Sequence, residues 1–228
     1  MVYVKPPRSE ERGILMMDGG TPGEQHQPKR YVTMSIVFFE KVRKILLMNE
    51  HTCPWWLAYT FDHRIRRLVH KPQNILGPYV KPGMTVADIG CGMGFFSLEM
   101  ARLVGKGGSV LSVDLQRHML EILEKRARRS GVGHLIRTHL CTPERIGIQQ
   151  ECDFALTFWM VHEVNDKQSF LGQLYELLRP SGKYLLVEPI VHTSPFRFRT
   201  LLNFCEKKGF QVLGNPTVRL SRAALFQK

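Results

Sequence analysis

The sequence predicts a doubly wound α/β domain, a mainly parallel sheet covered by helices on both faces. Two observations carry that prediction. From Met84 onward, strand-like and helix-like stretches alternate, and strands separated by helix-length crossovers run parallel within one sheet. The last two strand-like runs are joined only by Gly214-Asn215-Pro216-Thr217. So short a loop cannot make a parallel crossover, so this closing pair is predicted antiparallel.

The elements follow in order. Thr85-Val86-Ala87-Asp88-Ile89 is a short buried strand, and residues 95–104 are helical and end at Gly105-Lys106-Gly107-Gly108. A second strand covers 110–114. A helix covers 116–130, with Met119, Leu120, Leu123 and Ala127 on one side, and a third strand covers 135–140. A fourth strand is expected over 153–158. Phe170, Leu171, Leu174, Leu177 and Leu178 have the spacing of a helix packed on a core. Pro180-Ser181-Gly182 then reads as a turn into a strand over 184–187. A helix over 196–207 leads to runs at 210–213 and 218–226.

Ahead of this domain, residues 1–34 hold Pro6, Pro7, Pro22 and Pro28 with Gly13, Gly19, Gly20 and Gly23 and show no useful periodicity. They are expected to be a disordered leader or an upstream extension, with Met16, Met17, Met34 and Met48 inside or just after the stretch. Residues 35–82 read as N-terminal helices forming a cap. Ser35 is the N-cap of a basic amphipathic helix over 35–50, and a basic helix covers 59–71. Pro72, Gly77, Pro78, Pro82 and Gly83 then punctuate the approach to the sheet. The domain itself is assigned to residues 83–228.

Composition bounds the function. The 228 residues are 43% hydrophobic and 23% charged, which excludes wholesale disorder and fibrous classes. The 32 Lys and Arg against 20 Asp and Glu give +12, raising nucleic acid, acidic substrates or an anionic membrane surface as partners. The excess lies outside the segments expected to build a ligand site. Residues 83–115 carry two basic against three acidic residues, whereas 192–228 carry seven against one. Apolar runs at 36–39 and 45–48 are interrupted by Glu40, Lys41, Arg43 and Lys44, far short of the roughly 20 residues of a membrane span. The five cysteines form no C-x-x-C pair, which suggests neither a disulfide framework nor a zinc site and fits a reducing, cytoplasmic setting.

The strongest motif is Asp88-Ile89-Gly90-Cys91-Gly92-Met93-Gly94, where the first strand gives way to the first helix. Ligands in open α/β sheets bind outside the carboxyl ends of strands. The spacing is G-x-G-x-G, with Phe95 where a dinucleotide loop needs its third glycine, and no Lys-Ser/Thr follows as a Walker loop requires. Alone, the glycines make a tight turn and nothing more. The second strand, however, ends in Asp114, 20 residues beyond Gly94, where a carboxylate accepts both hydroxyls of an unphosphorylated ribose. Together these suit a nucleoside without pyrophosphate whose own carboxylate is held by backbone N–H groups near the helix start. S-adenosylmethionine answers that description.

Four ordered stretches carry a family resemblance: Val86-Ala87-Asp88-Ile89-Gly90-Cys91-Gly92-Met93-Gly94, Val110-Leu111-Ser112-Val113-Asp114, Cys152-Asp153-Phe154-Ala155-Leu156, and residues 178–189 with Pro180-Ser181-Gly182 and Val187-Glu188-Pro189. Together they resemble the successive motifs of class I S-adenosylmethionine-dependent methyltransferases, and most the small-molecule branch that includes the ubiquinone/menaquinone C-methyltransferases. The resemblance implies a Rossmann-like, seven-stranded sheet with an antiparallel last strand. By position, it implies that Gly90, Gly92 and Gly94 line the methionine moiety, Asp88 orients its amino group, Asp114 binds the ribose and Leu115 lies beside the adenine. A small acidic motif usually follows the third strand. Here Leu140-Cys141-Thr142-Pro143 stands in its place, which leaves Thr142 to meet the adenine amine. Phe158 and Trp159 are expected to flank the cofactor.

Methyl transfer from a sulfonium is an in-line displacement with a neutral leaving group, so positioning supplies much of the rate. A base is needed only where the acceptor must lose a proton. His162 and Glu163, just past the fourth strand, are the candidates for that base; the other reading is that they only support local hydrogen bonds. Cys53, Trp55, Trp56 and Tyr59 precede the first strand, where the family places a cap over the substrate. They either wall the substrate or anchor the cap to the core. His51 with Cys53 gives two ligands, which is no metal site. His192 either reaches the pocket rim or is a solvated loop residue. The expected partner is a small-molecule methyl acceptor. A membrane surface is a secondary contact, and an RNA or protein acceptor, or cofactor binding without catalysis, are the alternatives. Trp159-Met160-Val161-His162 stands where adenine-amino methylation would need Asn-Pro-Pro-aromatic.

Overall fold

Residues 69–228 are described by the structure, a computed structural model. The expected leader, the helix over 35–50 and the stretch holding His51, Cys53, Trp55, Trp56 and Tyr59 lie outside the described residues.

The described chain opens with a five-residue helix α1 (Pro72–Leu76). The sheet and its helices follow: β1 (Thr85–Ile89), α2 (Ser97–Val104), β2 (Ser109–Asp114), α3 (Arg117–Arg129), β3 (Ile136–Leu140), β4 (Cys152–Phe158), α4 (Lys167–Leu177), β5 (Leu178–Pro189), α5 (Pro195–Lys207), β6 (Gln211–Gly214) and β7 (Ser221–Gln227). The seven strands are ordered β3-β2-β1-β4-β5-β7-β6. Strands β1 to β5 are parallel, and β7 runs antiparallel to both of its neighbours. The antiparallel closing pair inferred from the four-residue loop is therefore present.

Each central strand is buried nearly end to end, as a parallel sheet with two covered faces requires. Successive residues alternate between two cores. Ala87, Ala155, Tyr184 and Leu186 pack with Leu171 and Leu174 of α4 and Leu201 of α5. Val86, Val110, Phe154 and Leu156 pack with Leu76 of α1 and Met100 and Val104 of α2. At the amino ends of the strands, Asp153 accepts the Thr85 N–H at 2.8 Å and the Arg179 guanidinium at 2.6 Å, fixing β1, β4 and β5 together away from the glycine loop.

Four placements differ from expectation: Leu178, grouped by spacing with the helix before it, is the first residue of β5, and β7 begins at Ser221, three residues after its expected start. Pro72 begins a short helix instead of merely interrupting the chain, because proline costs nothing at the first helical position. The Pro180-Ser181-Gly182 turn is absorbed into a much longer β5 as a bulge against β4, with Ser181 at φ 64°. Antiparallel pairing with β7 extends from Lys183 to Pro189, which holds the strand beyond the bulge.

Candidate functional site

The carboxyl ends of β1, β2, β4 and β5 converge on one set of loops. Between β1 and α2, Gly90, Gly92 and Gly94 all have positive φ (75°, 53° and 84°), which side-chain-bearing residues rarely adopt. Their surroundings differ. A Cβ on Gly90 would lie 2.8 Å from Met160 Cγ, and one on Gly94 would lie 2.1 Å from Leu123 Cδ1, whereas one on Gly92 would meet nothing within 4 Å among the described residues. The loop is thus closed at both ends by protein and open at its middle glycine.

Asp114 ties this loop to β2. Its carboxylate accepts the Gly92 N–H at 2.8 Å through Oδ2 and the Gln116 N–H at 2.9 Å through Oδ1. Burial pushes its pKa up despite these bonds, which pull the other way. The Gly90 and Cys91 N–H groups donate to Val113 O and that of Gly94 to Cys91 O. The loop donors through Gly94, apart from Met93, are therefore committed inside the protein. Asp88, buried at the end of β1, accepts the Ser97 hydroxyl at 2.5 Å, and Arg126 of α3 donates to Met93 O at 3.2 Å.

The loop after β4 forms the opposite wall. Trp159 has φ 61°, an uncommon conformation for a bulky residue, held by its N–H on Val187 O and its indole N–H on the Ser221 hydroxyl. Next comes a single helical turn, Val161–Glu163. The side chain of Glu188, at the end of β5 and fully buried, accepts from the Val161 N–H (3.0 Å), the His162 N–H (3.1 Å), His162 Nδ1 (2.8 Å) and the Thr193 hydroxyl (3.2 Å). The His162 ring stacks on His192, with centroids 5.4 Å apart and planes 1° from parallel. Burial, then the neighbouring His162, pushes the His192 pKa down, against the pull of Glu188.

A family model described as "Methyltransferase domain" matches residues 80–208, more than half of the chain and every element just described except α1, β6 and β7. The chain belongs to the class I S-adenosylmethionine-dependent methyltransferases. It is 30% identical over 110 residues to a ubiquinone/menaquinone biosynthesis C-methyltransferase of Haemophilus ducreyi, a stretch covering 48% of this chain and 42% of that protein. It is 26% identical over 109 residues to a demethylmenaquinone methyltransferase of Oceanobacillus iheyensis, covering 48% and 46%. The match spans less than half the length of these curated relatives. In fold, the chain is similar to a SAM-dependent methyltransferase of Aquifex aeolicus, with a TM-score of 0.68, 19% identity, and coverage of 77% of this chain and 99% of that one.

The residues fit the methyltransferase cofactor on geometry. Among the described residues no side chain covers the backbone at Gly92. A carboxylate has four acceptor positions, and Asp114 takes backbone N–H groups of Gly92, Gln116 and Leu115, which leaves one for a ligand hydroxyl. Leu115 leaves 39% of its surface open beside it. The remaining residues of the expected site have neighbours of their own within the protein. The ring of Phe158 is buried against Phe96, with centroids 4.4 Å apart, and against His70 and Trp159. The exposed Thr142 accepts the Arg145 N–H at 3.2 Å, capping its own turn. Glu163 Oε1 lies 3.9 Å from His162 Nε2, beyond hydrogen-bond distance. A groove of about 440 Å³ between α5, the β6–β7 loop and β7 lies away from the glycine loop and shares only Ser221 and Arg222 with the partners of this site.

Sequence reasoning singled out neither Glu188 nor His70. The Val187-Glu188-Pro189 stretch offers one signal for Glu188, an acidic residue ending a buried strand. His70 donates through Nε2 to Arg219 O at 2.8 Å and meets Phe158 and Trp159 edge-on. A sequence pattern carries no sign of that pairing across 149 positions.

Proposed function

We propose that this chain transfers the methyl group of S-adenosylmethionine to a small molecule. The observation that carries the reading is the open space at Gly92 beside an Asp114 carboxylate already anchored to that glycine. When bound, the cofactor supplies a methyl group on a sulfonium, whose departure needs no protonation. Asp114 holds the ribose, Leu115 lies against the adenine and Thr142 borders it. Asp88 orients the amino group, and Gly92 gives the methionine chain room. His162 and Glu163 stand at the acceptor side, Trp159 fixes the wall between acceptor and cofactor, and Cys53, Trp55, Trp56 and Tyr59 contribute to the acceptor site.

The small-molecule reading draws on the quinone-methylating relatives and on the segmental placement of charge. The free thiols of Cys91, Cys141, Cys152 and Cys205 suit a cytoplasmic setting, and among the described residues no helix is long and apolar enough to cross a membrane. Two measurements test the reading. S-adenosylhomocysteine at about 100 times its Kd stabilises by about 2.7 kcal/mol, which corresponds to a Tm rise of about 5–11 °C at 2–4 °C per kcal/mol, while NAD gives none. Methyl-labelled S-adenosylmethionine incubated with a cell extract places label in the small-molecule fraction. Label confined to RNA or protein would assign the acceptor to those classes, and a Tm rise without any labelled product would favour cofactor binding without catalysis.

A further inference from the structure

Glu188 has more partners than a turn cap needs. Two of its four bonds, from the Val161 and His162 N–H groups, close the helical turn. The Thr193 hydroxyl ties in the loop after β5. The remaining bond goes to the imidazole itself. A buried carboxylate needs donors to offset its desolvation, but it does not need one on a ring that is 22% exposed. A carboxylate only accepts, so Nδ1 is the donor in this contact, and the tautomer it selects carries its lone pair on Nε2. Stacking on His192 fixes the ring plane. The ring follows Met160, whose side chain faces Gly90, so it stands at the same end of the sheet as the open glycine.

We propose that Glu188 is a positioning residue that holds His162 with Nε2 as the proton acceptor, and that the methyl acceptor accordingly bears a hydroxyl that gives up its proton. The inference rests on the methyltransferase reading. As the acceptor oxygen, or the carbon conjugated to it, forms its bond to the methyl carbon, the C–S bond breaks and its electron pair returns to sulfur. The O–H proton passes to Nε2. The positive charge lost from the sulfonium reappears on the imidazolium, directly against Glu188. The groups facing that ring are Glu188 from β5, Glu163 on its own turn and His192 from the loop after β5, while Lys167 of α4, whose ammonium donates to Val164 O, and through it Arg197 of α5 act on Glu188. Arg222 of β7 reaches the same loop through Thr193 O.

The test uses the full chain, wild type and Glu188→Gln, with nitrogen NMR of the His162 ring, S-adenosylhomocysteine binding, and labelled-methyl transfer to the small-molecule extract. The wild-type ring is expected to show Nδ1–H with bare Nε2. In Glu188→Gln the ring should shift toward Nε2–H while the affinity for S-adenosylhomocysteine stays within about twofold. Turnover should fall about 10–100-fold, with recovery in part by Glu188→Asp and a changed acidic limb in the pH profile. His162→Asn provides a second route should Glu188→Gln not fold. It should lose as much turnover as Glu188→Gln, and the double variant no more than either, since residues acting as one unit are not additive. A wild-type ring protonated on Nε2, or equal turnover in His162→Asn, overturns the proposal. Loss of S-adenosylhomocysteine binding by the wild type would instead remove the methyltransferase reading beneath it.

Discussion

The three loop glycines look equivalent in sequence and are not equivalent in space. At Gly92 a side chain meets open volume but must adopt φ 53°. Gly92→Ala is expected to cost about 1–2 kcal/mol of stability for the left-handed backbone, while S-adenosylhomocysteine affinity falls at least tenfold. Gly94→Ala adds a methyl 2.1 Å from Leu123 Cδ1, in a side chain with no exposed surface. Overpacking then joins the backbone cost, about 2–5 kcal/mol together. Urea unfolding and ligand titration of both variants separate the effects; equal stability losses would contradict the assigned packing. Asp114 makes a further prediction from its raised pKa, caused first by burial. Its ionised form accepts a ribose hydroxyl, so cofactor affinity should drop on acidification at a pH above that of an ordinary aspartate, and Asp114→Asn should bind weakly at every pH. The same shift favours folding at low pH, below the unfolded pKa, and that contribution is lost as pH rises through the folded value. A bound hydroxyl offsets the burden at neutral pH.

At the scale of elements, β1 to β4, β6, α2, α3 and α5 fall within two residues of their sequence-based ranges, because each carries an unbroken apolar pattern bounded by glycine or a polar turn. β5 extends well past its expected ends, because a bulge and the pairing with β7 decide its length and neither is local. The site divides in the same way. The glycine loop and Asp114 were legible because a strand-loop-helix unit carries its own spacing. The Glu188–His162 contact joins residues 26 positions apart and depends on β4 and β5 lying side by side. His192, in the loop between β5 and α5, shows what such a contact does to stability. Its pKa is lowered from 6.5 by burial and then by His162, so its contribution is present above pH 6.5 and lost as pH falls through the folded value. The urea midpoint is expected to fall between pH 7.5 and 5.5, and to fall less in His192→Phe, which keeps a ring on His162 without a titrating group. An identical fall in the variant would show that His192 is not its source.

For the whole molecule, the +12 charge is the property that composition alone reads least well. Several of the cations behind it act inside the fold. Lys81, Arg126, Lys167, Arg222 and Lys228 each donate to a backbone carbonyl, those of Gly77, Met93, Val164, Thr193 and Leu178 respectively. Arg102 and Arg179 pair with Glu99 and Asp153. The run Arg126, Arg128 and Arg129 sits in the last turn of α3, where positive charge complements the negative end of the helix dipole. A nucleic-acid-binding face needs cations aimed outward at successive phosphates, and each contacted phosphate steepens the fall of log K with log salt by about 0.9 on duplex DNA. With these cations engaged by local carbonyls and carboxylates, binding to a 20-base-pair DNA is expected to show a slope no steeper than about −3, the value for some three contacts, measured by fluorescence anisotropy between 50 and 300 mM KCl. Duplex RNA should behave alike. A slope near that of six or more phosphates would mean that the outward arginines of α3 and α5 form a continuous phosphate track, and the acceptor would then be sought among nucleic acids.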